Sequence, residues 1–295
     1  MAERLFFTVP AECGGMTAKW FLKGRCGLST RRITRLKREK HGILMDGKIL
    51  RTVDQVRAGA EIVISLPGGE FSFIEPVEGV LDIVYEDHCL LAVNKPPEMP
   101  VHPVKQHQTD TLANIVTWYA AQKGESYVFR THNRLDRNTS GLVLMAKDKY
   151  SVNLLKNQVH KTYLALVHGS LSGEGVIDAP IGLRDGSKIV RCVREDGSPS
   201  VTHYRSLFHS TEYSLLSLWL ETGRTHQIRC HMSSLGHPLL GDDLYGGSTE
   251  RIRRQALHCA EMAFSHPVTG ERLLLKAPVP EDLERLIPGS AYEVS

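Results

Sequence analysis

Three side chains of unlike type could act together chemically in this chain. Asp136 lies between Arg134 and Arg137 in a polar segment, Tyr163 falls in an apolar run, and Arg229 follows a glycine turn. An ionised carboxylate can act as a nucleophile or base, and a guanidinium within about 4–6 Å favours its ionised form. For Asp136 alone, a turn cap that pairs with a neighbouring arginine is the simpler interpretation. The elements around Asp136 are needed to distinguish a catalytic carboxylate from a turn cap.

These residues are predicted to lie at the ends of buried strands. The polar segment 131–138 passes through Ser140 and Gly141 into the branched apolar residues 142–146, which predicts a loop docked on a buried strand. Residues 161–167 and 213–221 also predict strands, and the second leads through a turn into a helix. Asp136 is therefore expected on a loop that a rigid sheet holds.

Other kinds of site find little support in the residue spacing. Neither an H-E-x-x-H pattern nor paired Cys/His spacing occurs, although His226 and Cys230 lie close in sequence. The stretch GDDLYGG (241–247) matches neither of the glycine-rich phosphate loops. Ser140 lacks a G-x-S-x-G setting, and Asp136 has no evident carboxylate partner of the kind that a glycosidase uses. The sequence therefore predicts neither a metal nor an organic cofactor.

Length and composition are those of a globular protein with more than one folded unit. The chain has 295 residues, of which 41% are hydrophobic and 23% charged. It contains no run of 18 apolar residues, and the apolar run at its amino terminus is too short for a signal peptide. Six cysteines are present without C-x-x-C spacing. We expect a cytoplasmic monomer with reduced thiols and no membrane contact.

Positive charge is concentrated near the amino terminus. Between residues 17 and 51 there are eleven Lys or Arg but only two acidic residues, a local net charge of +9, whereas the whole chain carries +3. A solvated helical face is the alternative interpretation. Nine uncompensated charges in so short a segment instead favour a surface that binds a polyanion.

The basic segment predicts two short helices. Thr17 can cap the first, which Gly24 ends, and the second is predicted from Arg31 to about Lys40. The second helix is able to lay several cations along a phosphate backbone. The cations assigned to RNA binding here are Arg31, Arg32, Arg35 and Arg38.

A small sheet is predicted after these helices. An Asp-Gly turn at residues 46–47 predicts a hairpin over residues 43–50, and residues 61–66 predict another strand. Two short helices followed by such a sheet resemble the alpha-L RNA-binding fold of ribosomal proteins. The resemblance covers about residues 17–66 and implies that this part binds RNA.

The rest of the chain predicts an α+β fold with a mixed, mostly antiparallel sheet and flanking helices. Many strands alternate with few helices, without a βαβ rhythm. Residues 82–93 predict a hairpin, the proline-rich segment 94–103 an irregular connector, and residues 110–111 the start of an amphipathic helix. The predicted organisation is an RNA-binding domain at residues 1–66, a linker at 67–80 and a catalytic domain at 81–295.

Five segments in order resemble the motifs of the RluA-type RNA pseudouridine synthases. Together they span about residues 81–280, so a chance match of all five is very improbable. The segments are NKPPEMPVHP (94–103), NRLDRNTSGLVLMAK (133–147), KTYLALVHG (161–169), ETGRTHQIRCHMSSLGHPLLGDDLYGG (221–247) and LHCAEMAFSHPVTGERLLLKAP (257–278).

The resemblance implies an enzyme that isomerises uridine to pseudouridine in RNA without a metal or cofactor. Asp136 matches the catalytic carboxylate, as nucleophile or base, and Arg229 its counter-ion. Tyr163 matches the tyrosine that stacks on the target base and is placed to help remove the ring proton. Arg134 and Arg137 would help to hold the unstacked nucleotide, or only brace the loop. Ribosomal RNA is the favoured substrate, with transfer RNA as the alternative.

One residue departs from the family pattern, and two other functions stay open. Many members have His where this chain has Asn133, which leaves the subgroup undecided. A non-catalytic RNA-binding or assembly factor would be expected to lose Asp136, Tyr163 or Arg229, and this chain keeps all three. A nucleoside hydrolase would break the same bond without rejoining it and would release free uracil.

Overall fold

The computed structural model describes residues 3–26, 28, 30–39, 41–66, 74–125, 128–156 and 158–289, with the backbone alone for residues 3–5, 31, 32, 35, 66, 149 and 150. The chain forms two compact units, residues 1–74 and 75–295, and each is described by itself. Of the predicted linker, residues 74–80 have no helix or strand, and residues 67–73 lie outside the described residues.

The first unit packs two short helices against an antiparallel sheet with the strand order β1-β4-β2-β3. Its core contains Phe21 and Leu22 from the first helix and Ile33 and Leu36 from the second. The elements are β1 (Glu3–Thr8), α1 (Ala18–Gly24), α2 (Thr30–Leu36), β2 (Ile43–Met45), β3 (Lys48–Ile49) and β4 (Glu61–Leu66).

The predicted hairpin of this unit is present, whereas the second helix is shorter than predicted. Asp46 and Gly47 both have positive φ, 48° and 79°, as a two-residue hairpin turn requires. The helix was predicted to reach about Lys40, which lies outside the described residues, but it ends at Leu36. A Cβ on Gly42 would lie 2.1 Å from the Leu36 carbonyl oxygen, so the chain folds back closely over the last helical turn. Strand β1 was not predicted.

The second unit is built on a nine-stranded sheet with the order β5-β6-β7-β14-β8-β13-β12-β9, and β15 pairs with β14. Within the described residues, β7 with β14 is the one parallel pair, so the predicted mixed, mostly antiparallel α+β fold is confirmed. The strands are β5 (Ile83–Glu86), β6 (Leu90–Lys95), β7 (Ser140–Ala146), β8 (His160–His168), β9 (Glu174–Asp178), β10 (Ile181–Leu183), β11 (Arg191–Val193), β12 (Val201–His209), β13 (Tyr213–Leu220), β14 (Leu257–Ser265) and β15 (Arg272–Lys276).

Within the described residues of this unit, four helices flank the sheet, and a short hairpin of β10 and β11 lies apart from it. The helices are α3 (Leu112–Gln122), α4 (Lys149–Leu154), α5 (Gln227–Ser234) and α6 (Glu281–Glu284). The predicted hairpin over residues 82–93 is present as β5 and β6, and β6 runs two residues into the proline-rich segment that was predicted to be irregular. In the described parts of the chain, no helix combines the length and apolar character of a membrane crossing.

The central strand β7 follows directly after the Asp136 loop and is buried along its whole length. Gly141 stands at its start with φ of 109°, and a Cβ there would lie 2.2 Å from the carbonyl oxygen of Cys259. Only glycine lets β7 and β14 approach so closely. The point where the loop enters the sheet is therefore fixed by backbone contact.

Candidate active site

Two buried cations hold the Asp136 loop from its inner side. Lys95 has no exposed surface, and its Nζ donates to the carbonyl oxygens of Pro96 and Arg137 at 2.6 and 3.1 Å. Arg254 Nη1 donates to the carbonyl oxygen of Asn138 at 3.1 Å. Burial, followed by the nearby charge of Arg254, lowers the pKa of Lys95 to about 7, although Asp136 opposes the shift. The loop carbonyls face inward onto these cations, which leaves the Asp136 side chain directed elsewhere.

Arg229 of helix α5 forms an ion pair with the Asp136 carboxylate. Its Nη1 donates to Asp136 Oδ2 at 3.1 Å, while its Nε and Nη2 donate to the two oxygens of Asp242 at 2.7 and 2.8 Å. Burial disfavours the charge of Arg229, but its hydrogen bonds to Asp242 and the attraction of both carboxylates outweigh this and raise its pKa. Asp136 forms no ion pair with Arg134 or Arg137 in the described structure, so the turn-cap interpretation does not describe its side chain.

Asp242 also belongs to this site, although no role was predicted for it from the sequence. Its side chain is fully buried, and its carbonyl oxygen accepts from the backbone nitrogens of Tyr245 and Gly247 at 3.0 and 2.8 Å. The Gly-flanked acidic pair at residues 242–243 was visible in the sequence. Nothing in that spacing shows which of the two carboxylates turns inward to meet Arg229.

His226 and Tyr245 complete the surroundings of Asp136. Tyr245 OH accepts from the backbone nitrogen of Arg191 at 2.9 Å and lies 3.0 Å from His226 Nδ1. If the phenol donates its own proton to Nδ1, the neutral imidazole carries its proton on Nε2, which lies 3.7 Å from Asp136 Oδ2. Burial lowers the pKa of His226 despite the attraction of Asp136. The Tyr245 ring also lies 5.0 Å from the Arg229 guanidinium.

Tyr163 projects from β8 into the same site. Its side chain is buried, and it lines with Asp136 a small cleft and the larger cavity beside it. Burial, then the neighbouring Cys259 thiol and the charge of Asp136, raise the pKa of Tyr163 well above its usual value. The phenol therefore keeps its proton near neutral pH.

The larger cavity has a volume of about 880 Å³. This lies within the range of roughly 300–1,000 Å³ that small-molecule sites occupy, so the cavity has room for an extruded nucleotide. The walls come from residues 131–136, from the start of β8 and from residues 219–225. The two predicted catalytic side chains, Asp136 and Tyr163, and the predicted counter-ion Arg229 are thus brought together at one place.

The arginines that were predicted to bind RNA lie in different surroundings. Arg134 is exposed and lines both cavities, whereas Arg137 Nε donates to the Glu98 carbonyl oxygen at 3.0 Å and braces the loop. In the first unit Arg38 is exposed just after α2. The side chains of the other three predicted cations of that helix lie outside the described residues; these are Arg31, Arg32 and Arg35.

Asn133, the departure from the family pattern, ties the loop to β7. Its Nδ2 donates to the Leu142 carbonyl oxygen, and its Oδ1 accepts from the Leu144 backbone nitrogen, both at 3.0 Å. The backbone nitrogen of His132 adds a bond to the Leu144 carbonyl oxygen at 2.8 Å. The Asn133 carboxamide thus takes the place of a backbone amide on the open side of β7.

A separate cluster on two hairpin turns has the residue types of a metal site. Metal-binding atoms of Asp87, Cys89 and His266 lie within 4.8 Å of one another. His266 Nδ1 accepts from the backbone nitrogen of Thr269 at 3.0 Å, so Nε2 carries the ring proton and donates to Asp87 Oδ2 at 2.7 Å. Both ring nitrogens are engaged, and the cluster acts as a hydrogen-bonded link between the turns.

Comparison with known proteins agrees with this fold. Residues 89–234 match the family model described as RNA pseudouridylate synthase. RNA pseudouridine synthase YjbO of Bacillus subtilis is 38% identical over 286 residues, which are 94% of this chain and 100% of that protein. Ribosomal large subunit pseudouridine synthase D of Vibrio cholerae is 38% identical over 266 residues, 81% of this chain and 82% of that protein.

A solved structure has the same fold. Human RNA pseudouridylate synthase domain containing 1 superposes with a TM-score of 0.56 at 29% identity, over 70% of this chain and 86% of that chain. The fold and the sequence matches define an RNA pseudouridine synthase, which confirms the predicted enzyme class. The chain belongs to the RluA-type family of these enzymes.

Replacing Asp242 by Asn should damage both stability and activity. The Asn amide keeps one acceptor oxygen and places an NH2 group, a donor, against an N–H group of Arg229. The buried ion pair is therefore broken. We expect the free energy of unfolding to fall by about 3 kcal/mol in urea titration, and kcat to fall with it. Asp243→Asn, at the exposed adjacent position, is the matched control and should change neither quantity appreciably. Equal effects of the two substitutions would contradict the assignment.

Proposed function

We propose that this enzyme isomerises specific uridines in structured RNA with Asp136 as the catalytic carboxylate. The observation that carries the proposal is the Asp136–Arg229 ion pair at a cavity large enough for a nucleotide. Only one of the three Arg229 bonds goes to Asp136, so this carboxylate keeps unshared lone pairs directed toward the cavity. The same residue types in the same order occur in the family motifs.

The isomerisation needs one group that assists at the sugar and one surface that holds the detached ring. The bond from the anomeric carbon to N1 breaks, the bond to C5 forms, and the ring proton leaves C5 while N1 gains a proton. Asp136 can serve by attacking the anomeric or a ring carbon, or by removing a sugar proton, and each of these routes requires the ionised carboxylate. Arg229 keeps that charge in place.

Tyr163 is proposed to stack on the target uracil. A base that has left its helix loses a few kcal/mol of stacking, and an aromatic ring in the cavity restores part of it. The raised pKa of Tyr163 makes its phenolate a costly species near neutral pH. The ring, rather than ionisation of the hydroxyl, is therefore the part of Tyr163 that we expect to matter most.

Ribosomal RNA is the favoured substrate, and the first unit is proposed to bind it. Two considerations support this. A relative that is 38% identical over most of its length is a ribosomal large subunit pseudouridine synthase, and the first unit carries the concentrated positive charge of the chain. Transfer RNA is the alternative substrate, to be distinguished by mapping the modified sites.

Asp136→Asn should abolish pseudouridine formation without unfolding the enzyme, because the amide lacks the negative charge. In cells without the gene, we expect wild-type protein to restore particular pseudouridines in ribosomal RNA and the Asn variant to restore none. Sequencing-based mapping of total RNA measures both outcomes and identifies the substrate. Free uracil in a reaction with purified wild-type enzyme would instead support a hydrolase, and restoration by the Asn variant would refute the role of Asp136.

Tyr163→Phe and Tyr163→Leu should behave differently if stacking is the role of the ring. We expect Phe to keep RNA affinity and most of the single-turnover rate, whereas Leu should weaken binding by roughly 1–3 kcal/mol and slow the reaction. Filter binding and single-turnover kinetics with the mapped RNA give the two quantities. If Phe slowed turnover as much as Leu with affinity intact, the hydroxyl would be the essential group.

The basic helix of the first unit should set the salt dependence of RNA binding. Each lost phosphate contact reduces the slope of log K against log salt by about 0.7–0.9, so removing four should reduce it by up to about 3.6. The variant replaces Arg31, Arg32, Arg35 and Arg38 by Gln. A control replaces four exposed cations of the second unit, Arg253, Arg272, Lys276 and Arg285, by Gln. Equal slopes for the two variants would argue against the proposed RNA-binding role.

A further inference from the structure

The cavity that contains Asp136 also reaches an aromatic pair that the proposed reaction does not use. Trp219 of β13 and His203 of β12 lie directly opposite each other in the sheet. Their rings are parallel within 5°, with centroids 5.1 Å apart. His203 Nε2 lies 2.7 Å from Glu221 Oε1. This hydrogen bond holds the imidazole in place against the indole.

The His203 ring covers only one face of the Trp219 ring. On the other side its cross-strand neighbour is Thr162 of β8, whose side chain is too short to cover an indole. Trp219 accordingly keeps 39% of its surface exposed. A rigid aromatic ring with one free face in a cavity is a preformed stacking surface.

This surface is distinct from the one that Tyr163 provides. Tyr163 lies opposite Leu218, one residue before Trp219 on β13. Because successive side chains of a strand point to opposite faces, Trp219 and Tyr163 lie on different faces of the sheet. Both line the large cavity, which therefore extends past the end of β13. A base on Trp219 cannot be the base on which Asp136 acts.

Two basic side chains, Arg134 and Lys161, line the same cavity. Neither forms an ion pair within the described part of the chain; Arg134 is exposed, whereas Lys161 is half-buried, which lowers the pKa of its ammonium group. A nucleic-acid strand that places one base at Tyr163 would bring its backbone past these cations. The combination of a cationic wall and an open aromatic face is the arrangement that binds single-stranded nucleic acid.

We propose that Trp219, backed by His203, stacks on the base of a nucleotide that adjoins the target uridine. The inference rests on the proposed function, because it takes the substrate to be an RNA strand with its target base at Tyr163. It adds a second base-binding subsite. Since every base has an aromatic face, the subsite fixes the position of the strand rather than its sequence.

A coupling experiment between Trp219 and the flanking base tests the proposal. The probe is a single-stranded RNA of five nucleotides with uridine at the centre, together with two versions that lack the base on one or the other side of it. Affinity is measured by filter binding, which also serves the variants that lack Trp219, in an Asp136→Asn background that prevents turnover. Trp20 and Trp118 are replaced by Phe, so that Trp219 is the sole tryptophan of the three in the chain and reports stacking by fluorescence quenching.

We expect the complete probe to quench Trp219 fluorescence. Trp219→Leu should weaken its binding by about 5-fold to about 150-fold, and Trp219→Phe should restore most of the affinity. For the protein with Trp219, removal of one flanking base should lower the affinity for the probe as much as Trp219→Leu does. For the Leu variant, removal of the same base should leave the affinity almost unchanged. Strictly additive losses, or affinity within twofold after Trp219→Leu, would overturn the proposal. Absent quenching or absent binding of the complete probe would also overturn it.

The experiment distinguishes failure of the Trp219 subsite from failure of the proposed function. The coupling is measured as binding in a protein that has lost Asp136, so it does not depend on the role of that carboxylate. If wild-type enzyme forms pseudouridine while the losses are additive, the subsite alone is refuted. If the coupling is found but wild-type enzyme forms no pseudouridine, the proposed reaction is refuted while the base-binding subsite stands. Thermal unfolding of each variant confirms that it is folded.

Discussion

The division of one guanidinium between two carboxylates is the constraint on which the active site depends. Asp242 is buried and takes two donors of Arg229, which fixes the guanidinium whether or not Asp136 is present. The remaining Nη1 is then directed at Asp136. A bidentate bond to Asp136 itself would have engaged both of its oxygens. The arrangement instead stabilises a negative charge and leaves it accessible, which is what a nucleophile or base requires.

The sheet fixes the position of the loop that carries Asp136. The Asp136 loop enters β7 at Gly141, where close contact with β14 fixes the backbone, and Lys95 and Arg254 bind the loop carbonyls from within. Buried cations are costly unless they are satisfied. Here their cost is offset by hydrogen bonds that hold the loop in one position. Asn133 adds two bonds on the open side of β7, so the loop is held from both sides.

Much of this site could be predicted from the sequence, because strand and loop patterns are local and family motifs preserve the order of the residues. The positions of Asp136, Tyr163 and Arg229 followed from those signals. The role of Asp242 did not, since which carboxylate of an acidic turn faces inward is decided by tertiary packing. Strand β12 (Val201–His209) was missed for a similar reason, because its polar and apolar residues do not alternate and its pairing with β13 is a tertiary contact.

The charges proposed to carry out the chemistry and those proposed to attract RNA belong to different groups. Arg229 and Arg254 are buried and engaged by carboxylates, so neither is free to meet a phosphate. The exposed Arg134 and, just after α2, the exposed Arg38 carry charge that solvent can reach and that salt can screen. Ionic strength should therefore act mainly on the encounter with RNA, whereas the electrostatics around Asp136, screened by protein rather than by ions, stay nearly constant. This separation lets affinity for the substrate change through surface substitutions without disturbing the carboxylate.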